Sequence, residues 1–304
     1  MKIQLKASMV GNRYSQWGEE NIVRHTLASI DSLRPDGILV EFGGSKGHDN
    51  SNLFAFGEDG RPLVLIEQDP KLFNLLLNAV DKLETIVPVL ASVGFEQGSA
   101  TDHKSLSKIL DSHSIDPARV TIVSIDIDSD DAAVFENLGG GVDPLLVLVE
   151  YNNSFPSDVR VRNPEGKAWG NSSLELCEVA RARGMFLAAA TNTNLVFLKN
   201  DLRDTFEELD LLEGLSPFDH SRLGLAYDGT LVRFTTGGKN ITRENYQGWG
   251  DTLVRQPIPA FMRGYPARFK LLRWLYLLTV GFISNPFGFA RYSRDLLAYL
   301  RIKR

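Results

Sequence analysis

Glycines and acidic residues that could bind a ligand or take part in catalysis lie together in the sequence VEFGGSKGHDNSN, at positions 40–52. Gly43, Gly44 and Gly47 directly follow an apolar run, and glycines there let a backbone approach a ligand closely ahead of a helix N-terminus. Glu41 stands inside the apolar run, where an unpaired carboxylate would be costly to bury. Because the spacing does not fit the dinucleotide pattern G-x-G-x-x-G, the sequence predicts either a ligand loop or a simple turn.

A second acid follows at a suggestive distance. Glu67 ends the next apolar run, LVLIE, 24 residues after Gly43. In nucleotide-binding α/β folds, an acid about 20 residues beyond the glycine loop accepts hydrogen bonds from ribose hydroxyls. Glu67 therefore favours the ligand loop, while an exposed acid at a strand end remains the alternative.

Two further pairs of polar residues end apolar runs later in the chain. Asp126 and Asp128 occur in SIDIDSDD, and Glu150 and Asn152 occur in VEYNNSFP. Residues two apart in a strand share one face, and oxygen ligands of this kind suit Mg²⁺. The four residues therefore predict a metal site. The alternative is that the aspartates after position 127 only cap the next helix.

A general base is the remaining chemical requirement. His48 lies in the glycine-rich stretch itself and is the first candidate, with His103 or a carboxylate of the acidic cluster, such as Asp126, as alternatives. A histidine in a loop is also commonly a solvated residue, so position alone does not assign the role.

The pattern of apolar runs predicts the elements that must hold these residues. Short branched runs typical of parallel strands buried on both faces lie at 38–42, 63–67, 86–90, 120–127 and 145–151. Helical patterns lie at 16–33, 50–57, 70–83, 105–112, 132–138 and 172–184, and the last begins with the capping box Ser172-x-x-Glu175. Residues 185–199 predict an antiparallel hairpin. The alternation indicates an α/β fold, a Rossmann-like doubly wound, mostly parallel sheet with an antiparallel edge hairpin.

The ordered set YSQWGEE, VEFGGSKG, LIEQDP, SIDIDSDD and VEYNNSFP resembles the class I S-adenosylmethionine-dependent methyltransferases, and within them the FkbM-like branch, over about residues 12–199. The resemblance implies that the glycine loop faces the methionine part of the cofactor, that Glu67 holds the ribose, and that Ala91 and Ser92 line the adenine. The cofactor-binding residues implied are Gln16, Glu19, Glu41, Gly43, Gly44, Gly47, Asn50, Glu67, Gln68, Ala91, Ser92 and Asp126. Lys46 departs from the small residue that this family often has in the loop.

The resemblance implies an S-adenosylmethionine-dependent O-methyltransferase, assisted by Mg²⁺, that methylates a hydroxyl of a sugar-containing or other small acceptor. By analogy, Asp126, Asp128, Glu150 and Asn152 would be the metal ligands, and His48 and Asp126 the catalytic residues. Two alternatives stay open. One is a non-catalytic cofactor-binding or membrane-associated scaffold protein with this fold, and the other is a metal-dependent hydrolase that uses the acidic crevice.

Charge is unevenly distributed along the 304 residues. The formal net charge is −5, yet residues 263–304, the basic tail, carry nine Lys or Arg and one acid, a net +8 that leaves −13 for the rest. An acidic body does not fit a nucleic-acid groove. We expect a methyltransferase domain at 1–200, a loop-rich extension with a short hairpin at 201–262, and an amphipathic helical tail at 263–304.

The tail and the single cysteine bear on location. Aromatic residues interleave with arginines in 266–304, whose apolar core of 13 residues is too short to span a bilayer. The segment predicts peripheral membrane contact, or else a helix that packs on the domain or forms a homo-oligomer interface. Cys177 alone excludes an internal disulfide. With no signal peptide evident, we expect a cytoplasmic protein, at the inner face of a membrane if the tail binds there.

Overall fold

A computed structural model describes residues 2–93, 105–127, 130–152, 160–163 and 170–210, together with the backbone of three short strands beyond them. Asp128, His103 and the basic tail lie outside the described residues.

Seven strands form one twisted sheet in the order β3-β2-β1-β4-β5-β8-β7. Neighbouring strands from β3 to β5 are parallel, and β8 runs antiparallel to both β5 and β7. The strands are β1 (Ile38–Phe42), β2 (Leu63–Glu67), β3 (Ile86–Leu90), β4 (Val120–Ile125), β5 (Leu146–Glu150), β7 (Met185–Ala190) and β8 (Asn194–Lys199). The predicted fold class is confirmed for the described residues.

Six helices connect or flank these strands. They are α1 (Glu19–Leu33), α2 (Phe54–Glu58), α3 (Pro70–Val80), α4 (Leu106–Ser112), α5 (Asp131–Glu136) and α6 (Ser173–Ala182). Three of these helices, α3, α5 and α6, begin with a capping side chain. The Asp69 side chain, which precedes Pro70 at the start of α3, accepts from the amide of Lys71, and the Asp130 side chain accepts from the amide of Ala133. The Ser172 hydroxyl accepts from the amide of Glu175, as the predicted capping box requires.

The central strands are apolar because both of their faces are covered. Every residue of β1, β2 and β4 is buried, including Glu41 and Glu67. Apolar side chains from α1, α2 and α3 join these strands in a single core cluster. A parallel sheet covered on both faces leaves its strand ends as the place where polar residues can meet a ligand.

Four short strands lie outside the main sheet in the part of the chain that the structure describes. β9 (Leu223–Leu225) pairs antiparallel with β10 (Leu231–Arg233), within the range where the sequence predicts a short hairpin. β11 (Asn240–Ile241) pairs parallel with β6 (Arg160–Val161), a pairing that the sequence did not indicate.

The chain divides into two compact units. The first comprises residues 1–150 and 176–210, and the second comprises residues 151–175 and 211–304. The boundaries expected at 200 and 262 stay predictions. Among the described residues, no helix is both long and apolar enough to cross a bilayer.

Candidate functional site

The glycine loop begins where the ends of β1 and β4 come into close contact. Gly43 has φ +73°, and a methyl group placed on it would lie 2.1 Å from the main-chain oxygen of Asp126. Only glycine satisfies both requirements, because other residues avoid positive φ and carry a Cβ. Gly43 and Asp126 therefore meet at the carboxyl edge of the sheet, where doubly wound folds bind their ligands.

The loop then turns back onto β2. The amide of Gly44 donates to the carbonyl of Ile66 at 3.1 Å, and the amide of Ser45 donates to Oε2 of Glu67 at 2.8 Å. Gly47 has φ +94°, and a methyl group there would press at 3.1–3.2 Å on Phe54, Leu76 and Ala79. Gly47 is thus needed for packing the loop against its neighbours. Its role as a point of ligand approach stays a prediction.

Two non-glycine residues of the loop adopt left-handed backbone conformations. Ser45 has φ +44° and Asn50 has φ +61°. Such conformations are uncommon outside glycine and concentrate at ligand-binding and catalytic sites, where the surrounding structure maintains them. Here the hydrogen bond from Ser45 to Glu67 helps to hold the first of them. Asn50, a predicted cofactor residue, is exposed.

Glu41 is buried beneath this loop and holds its second half. Its side chain accepts hydrogen bonds from the Ser51 hydroxyl at 2.5 Å and from the amides of Asn52 at 2.7 Å and Leu53 at 3.2 Å. The Asn52 side chain continues the network to the Ser124 hydroxyl on β4, at 3.0 Å. The carboxylate predicted to face a cofactor thus also fixes the backbone that follows the loop.

Burial raises the pKa of Glu41 to about 7, and the neighbouring charge of Asp126 adds to the increase. The three hydrogen bonds that the carboxylate receives act in the opposite direction but offset only part of the cost of burial. Glu41 is therefore a carboxyl group that exchanges its proton near neutral pH at the edge of the sheet. Perturbed acids of this kind are enriched at functional sites, although structural networks also produce them.

Glu67 connects the loop to the next strand ends. Besides Ser45, it accepts from the amide of Asp69 at 2.8 Å, and its main-chain oxygen accepts from the amide of Ala91 at 3.0 Å. Each carboxylate oxygen has more than one lone-pair direction, so these bonds leave acceptor capacity for hydroxyl groups. Glu67 is 5% exposed. Its contact with a ribose stays a prediction.

The candidates for the adenine side lie beside Glu67. The Ser92 hydroxyl donates to Oε1 of the exposed Gln68 at 3.2 Å, which joins the ends of β2 and β3. Ala91 and Ser92 are partly buried. A continuous row thus runs from Asp126 through the glycine loop and Glu67 to Ser92, and it includes most of the predicted cofactor residues.

His48 lies on the exposed side of the loop. Its side chain is 53% exposed, and its Nε2 lies 3.5 Å from Oδ1 of Asp49. Its ring centroid is 6.2 Å from that of Tyr14 and 6.3 Å from that of Phe54. The Asp49 carboxylate therefore lies beside the imidazole, and the two rings restrict the orientation of the imidazole. These contacts are compatible with a base at the mouth of the loop, and the catalytic role of His48 stays a prediction.

The YSQWGEE segment supports the fold through hydrogen bonds of Glu19, a role that the sequence did not indicate. Glu19 is fully buried and accepts from the Thr191 hydroxyl at 2.5 Å and from the Asn194 amide group at 3.3 Å, which joins the start of α1 to the β7–β8 turn. Gln16 is exposed. No direct contact of either residue with the glycine loop is recorded among the described residues, so their predicted cofactor role rests on the resemblance alone.

Sequence reasoning missed the importance of Glu20. Its buried carboxylate accepts from three consecutive backbone amides, those of Arg13, Tyr14 and Ser15, and the Ser15 hydroxyl accepts from the Glu20 amide in return. The signal that could have found it is a serine before a helix with a glutamate in the first turn, the logic of a capping box at a spacing of five rather than three.

The predicted metal ligands are only partly described. Asp126 and Glu150 follow equivalent positions of β4 and β5, whose register pairs Ile125 with Val149, so both acids come to the same edge. Asn152 belongs to the second unit, where its amide donates to the carbonyl of Asn171 at 2.9 Å. Within the described residues, which exclude Asp128, no group of three or more His, Cys, Asp or Glu is placed to hold a metal ion.

No protein-family model matches the chain, and no curated protein matches it. The solved structures that are similar to parts of it include the following three. TrmK from M. capricolum, in complex with S-adenosyl-homocysteine, is 11% identical over 63% of this chain and 74% of that chain, with a TM-score of 0.37. A TehB-like SAM-dependent methyltransferase from Corynebacterium glutamicum is 15% identical over 58% and 94%, with a TM-score of 0.32. Aeropyrum pernix fibrillarin, with natively bound S-adenosyl-L-methionine, is 12% identical over 57% and 74%, with a TM-score of 0.34.

Proposed function

We propose that this protein is an S-adenosylmethionine-dependent methyltransferase. The observation that carries the proposal is the row of polar groups at the carboxyl edge of β4, β1, β2 and β3. There, Gly43 permits the close contact with Asp126, and Glu67 anchors the loop through the amide of Ser45. The order of these features along the chain is the order that the family resemblance implies.

The residues of the row fit the parts of such a cofactor. Gly43 is exposed, so no side chain covers the backbone where the methionine part would lie. Glu67 keeps lone pairs available for two ribose hydroxyls. Ala91, Ser92 and Gln68 offer a partly apolar surface with polar groups at its margin for the base. The bound cofactor supplies an electrophilic methyl group on a sulfonium centre.

The protein would contribute mainly position and proton removal. Methyl transfer is an in-line displacement, so holding acceptor and donor in register supplies much of the acceleration. His48 at the mouth of the loop, or Asp126 at the strand edge, would accept the proton of the acceptor hydroxyl. The Asp49 carboxylate, 3.5 Å from Nε2 of His48, helps to hold the imidazole in place.

We further propose O-methylation of a hydroxyl of a sugar-containing or other small acceptor, with divalent-metal assistance. The position of Asp126 and Glu150 at neighbouring strand ends supports this, because carboxylates there form the oxygen-rich environment that Mg²⁺ prefers. From its place in the sequence, Asp128 would join this set. An ion held there would lower the pKa of an acceptor hydroxyl and orient it.

Isothermal titration calorimetry with S-adenosylhomocysteine tests the cofactor assignment. We expect saturable binding to the full-length chain, and weakening by about 1–3 kcal/mol in Glu67→Gln, which keeps an acceptor oxygen for one of the two backbone amides but loses the charge that strengthens hydrogen bonds to ribose. Glu84→Gln changes an exposed acid two residues before the start of β3, at the opposite edge of the sheet from the row, and should bind as the wild type does. Absence of heat at millimolar ligand would contradict the assignment.

Metal dependence is tested separately. Mg²⁺ titrated into the protein in the absence of acceptor should give binding that Asp126→Asn and Glu150→Gln each weaken, and chelation should abolish turnover that added Mg²⁺ restores. Turnover indifferent to chelation would refute metal assistance while leaving methyl transfer intact. Cofactor binding without turnover of any screened hydroxyl acceptor would favour the non-catalytic alternative.

A further inference from the structure

A buried oxygen at the start of β8 has no hydrogen-bond partner. Oδ1 of Asn194 finds no donor among the described residues, although the residue is only 4% exposed. Leaving a buried acceptor oxygen without a donor costs about 1–3 kcal/mol. Native proteins therefore seldom keep such an oxygen unless something other than the chain itself satisfies it.

The Asn194 amide group is oriented by two residues that bind its nitrogen. Nδ2 donates to Oε1 of Glu19 at 3.3 Å and to the Thr193 hydroxyl at 3.1 Å. A carboxylate only accepts hydrogen bonds, so the nitrogen and not the oxygen of the amide must face Glu19. Glu19 is held in turn by the Thr191 hydroxyl and by the amide of Trp17. Oδ1 of Asn194 therefore points away from Glu19.

Asn194 extends the carboxyl edge of the sheet beyond the row of cofactor residues. The register pairs Asn194 of β8 with Glu150 of β5, and Val149 of β5 with Ile125 of β4. Opposite residues of an antiparallel pair share one face and lie about 5 Å apart. Asn194 thus lies on the same face as Glu150, one strand further from the end of β4 that carries Asp126. All of these residues belong to the first unit.

We infer that Asn194 binds the methyl acceptor, and that its Oδ1 receives a hydrogen bond from a second hydroxyl group of that molecule. The inference rests on the proposed function, in which the row from Asp126 to Ser92 holds the cofactor with its methionine part at Gly43. The acceptor then approaches the methyl group from the other side of Asp126, where β5 and β8 meet the same edge. Asn194 is a specificity-determining residue on this side.

An oxygen that only receives hydrogen bonds restricts the chemistry of its partner. A hydroxyl group can donate to it, whereas an ionised carboxylate has no hydrogen to donate. Glu150 and Asn194 lie about 5 Å apart, so hydroxyl groups that reach both belong to different carbons of one molecule. A ring with several hydroxyl groups satisfies both positions, and a molecule with a single hydroxyl group satisfies one. We therefore expect an uncharged polyhydroxylated acceptor, such as a sugar ring.

Titration of the full-length protein with myo-inositol, followed by ligand-observed NMR, tests the inference with and without S-adenosylhomocysteine. Myo-inositol carries a hydroxyl group on every carbon of an uncharged ring, and cyclohexanol carries a single hydroxyl group on the same ring. We expect Asn194→Ala to weaken binding of myo-inositol about 2- to 10-fold, the loss of one hydrogen bond. Binding of cyclohexanol should be weakened less, because its single hydroxyl group satisfies only one position.

Thr193→Val is the matched control. It removes the hydroxyl group that receives Nδ2 of Asn194 and leaves Oδ1 in place, so it should bind myo-inositol as the wild type does. Asn194→Ala also removes a hydrogen bond to Glu19, and its unfolding free energy should fall. Thermal denaturation of both variants therefore sets the temperature of the titrations, at which each must be folded.

Several outcomes would overturn the inference. Equal affinity of the wild type and Asn194→Ala for myo-inositol, or no binding to the wild type, would mean that the oxygen serves the fold through an ordered water. Equal weakening by Thr193→Val would assign the effect to the shape of the turn. Weaker binding of S-adenosylhomocysteine by Asn194→Ala, with unchanged binding of myo-inositol, would place the oxygen against the cofactor.

The two titrations separate this inference from the proposed function. If S-adenosylhomocysteine does not bind the wild type, the proposed function fails whatever myo-inositol does. If S-adenosylhomocysteine binds and Asn194→Ala leaves the affinity for myo-inositol unchanged, the inference alone fails.

Discussion

Buried carboxylates near the sheet edge each hold a piece of backbone. Glu20 holds residues 13–15, Glu41 holds residues 51–53, and Glu67 holds Ser45 and Asp69. A carboxylate that accepts from backbone amides makes charge-assisted bonds stronger than neutral ones. Their removal would leave buried amides unpaired at about 1–3 kcal/mol each. These acids therefore determine the shape of the loop regardless of what the loop binds.

Gly43→Ala tests the close contact between β1 and β4. The variant should lose stability through its positive φ, by about 1–2 kcal/mol, and by a further 1–3 kcal/mol because the new methyl group would overlap the Asp126 carbonyl. Gly60→Ala is the matched control, since Gly60 has φ +91° and open space around it. Urea denaturation of the two variants measures the difference. Equal losses of unfolding free energy in the two variants would show that β1 and β4 move apart to accept the methyl group without losing stability.

The buried carboxyl of Glu41 predicts a dependence of stability on pH. Its pKa is about 7 in the folded protein and 4.5 when unfolded, so the folded state binds the proton more tightly. The resulting stability is fully present below pH 4.5 and is lost as the pH rises through 7, up to about 3 kcal/mol in total.

Glu41→Gln carries no such titration. The unfolding free energy of the wild type, measured relative to this variant, should therefore decrease between pH 5 and pH 8. Asp126→Asn should weaken the trend without abolishing it, because burial is the larger cause of the raised pKa and the charge of Asp126 is a smaller one. A difference between wild type and Glu41→Gln that stays constant over this range would contradict the assignment.

At the scale of elements, the central strands were predictable because they are buried on both faces. The runs at 38–42 and 63–67 coincide with β1 and β2 to the residue, and the run at 86–90 coincides with β3, an edge strand that is only partly buried. A continuous run of branched apolar residues is fully removed from water in a strand whose two faces are both covered. Even Pro88 fits: the amide of Ala91 donates to Glu67 of β2, and amides alternate in direction along a strand, so the missing amide of Pro88 would face away from β2 at the edge of the sheet.

Other features were not predictable because their partners are backbone groups distant in sequence. The helix expected at 50–57 begins only at Phe54, since residues 51–53 instead donate to Glu41. The β6–β11 pair comprises two residues on each side and has no periodicity to detect. The glycine loop and its acids were identified by type and spacing. Which acid supports the loop and which remains available to a ligand depends on hydrogen bonds that sequence does not reveal.

The link between α1 and the edge hairpin gives a test for Glu19. Glu19→Gln retains one acceptor oxygen but loses the negative charge that strengthens the hydrogen bonds from Thr191 and Asn194. We therefore expect a loss of about 1–3 kcal/mol in unfolding free energy. If Glu19 serves only the fold, the affinity for S-adenosylhomocysteine should stay unchanged in protein that is still folded. A fall in affinity with unaltered stability would instead support the cofactor role that the resemblance implies.

At the scale of the whole molecule, negative charge predominates in residues 1–262 and positive charge predominates in the basic tail. Residues 1–262 carry −13 and the basic tail carries +8. A uniformly acidic protein would be repelled by an anionic membrane, but a basic segment interleaved with aromatic residues is attracted to one by about 1 kcal/mol for each basic group near the surface. The alternative, a homo-oligomer interface made by the same segment, predicts no dependence on lipid charge.

Sedimentation with vesicles distinguishes these roles of the tail. The full-length chain should bind vesicles of phosphatidylcholine with phosphatidylserine, bind pure phosphatidylcholine poorly, and dissociate as salt screens the attraction. Deletion of 266–304 should abolish vesicle binding and leave the affinity for S-adenosylhomocysteine intact, because the row of cofactor residues lies between Glu41 and Asp126. Binding that survives the deletion would contradict a membrane role for the tail. If the full-length chain is an oligomer in solution and the truncated protein is a monomer, the tail forms an oligomer interface instead.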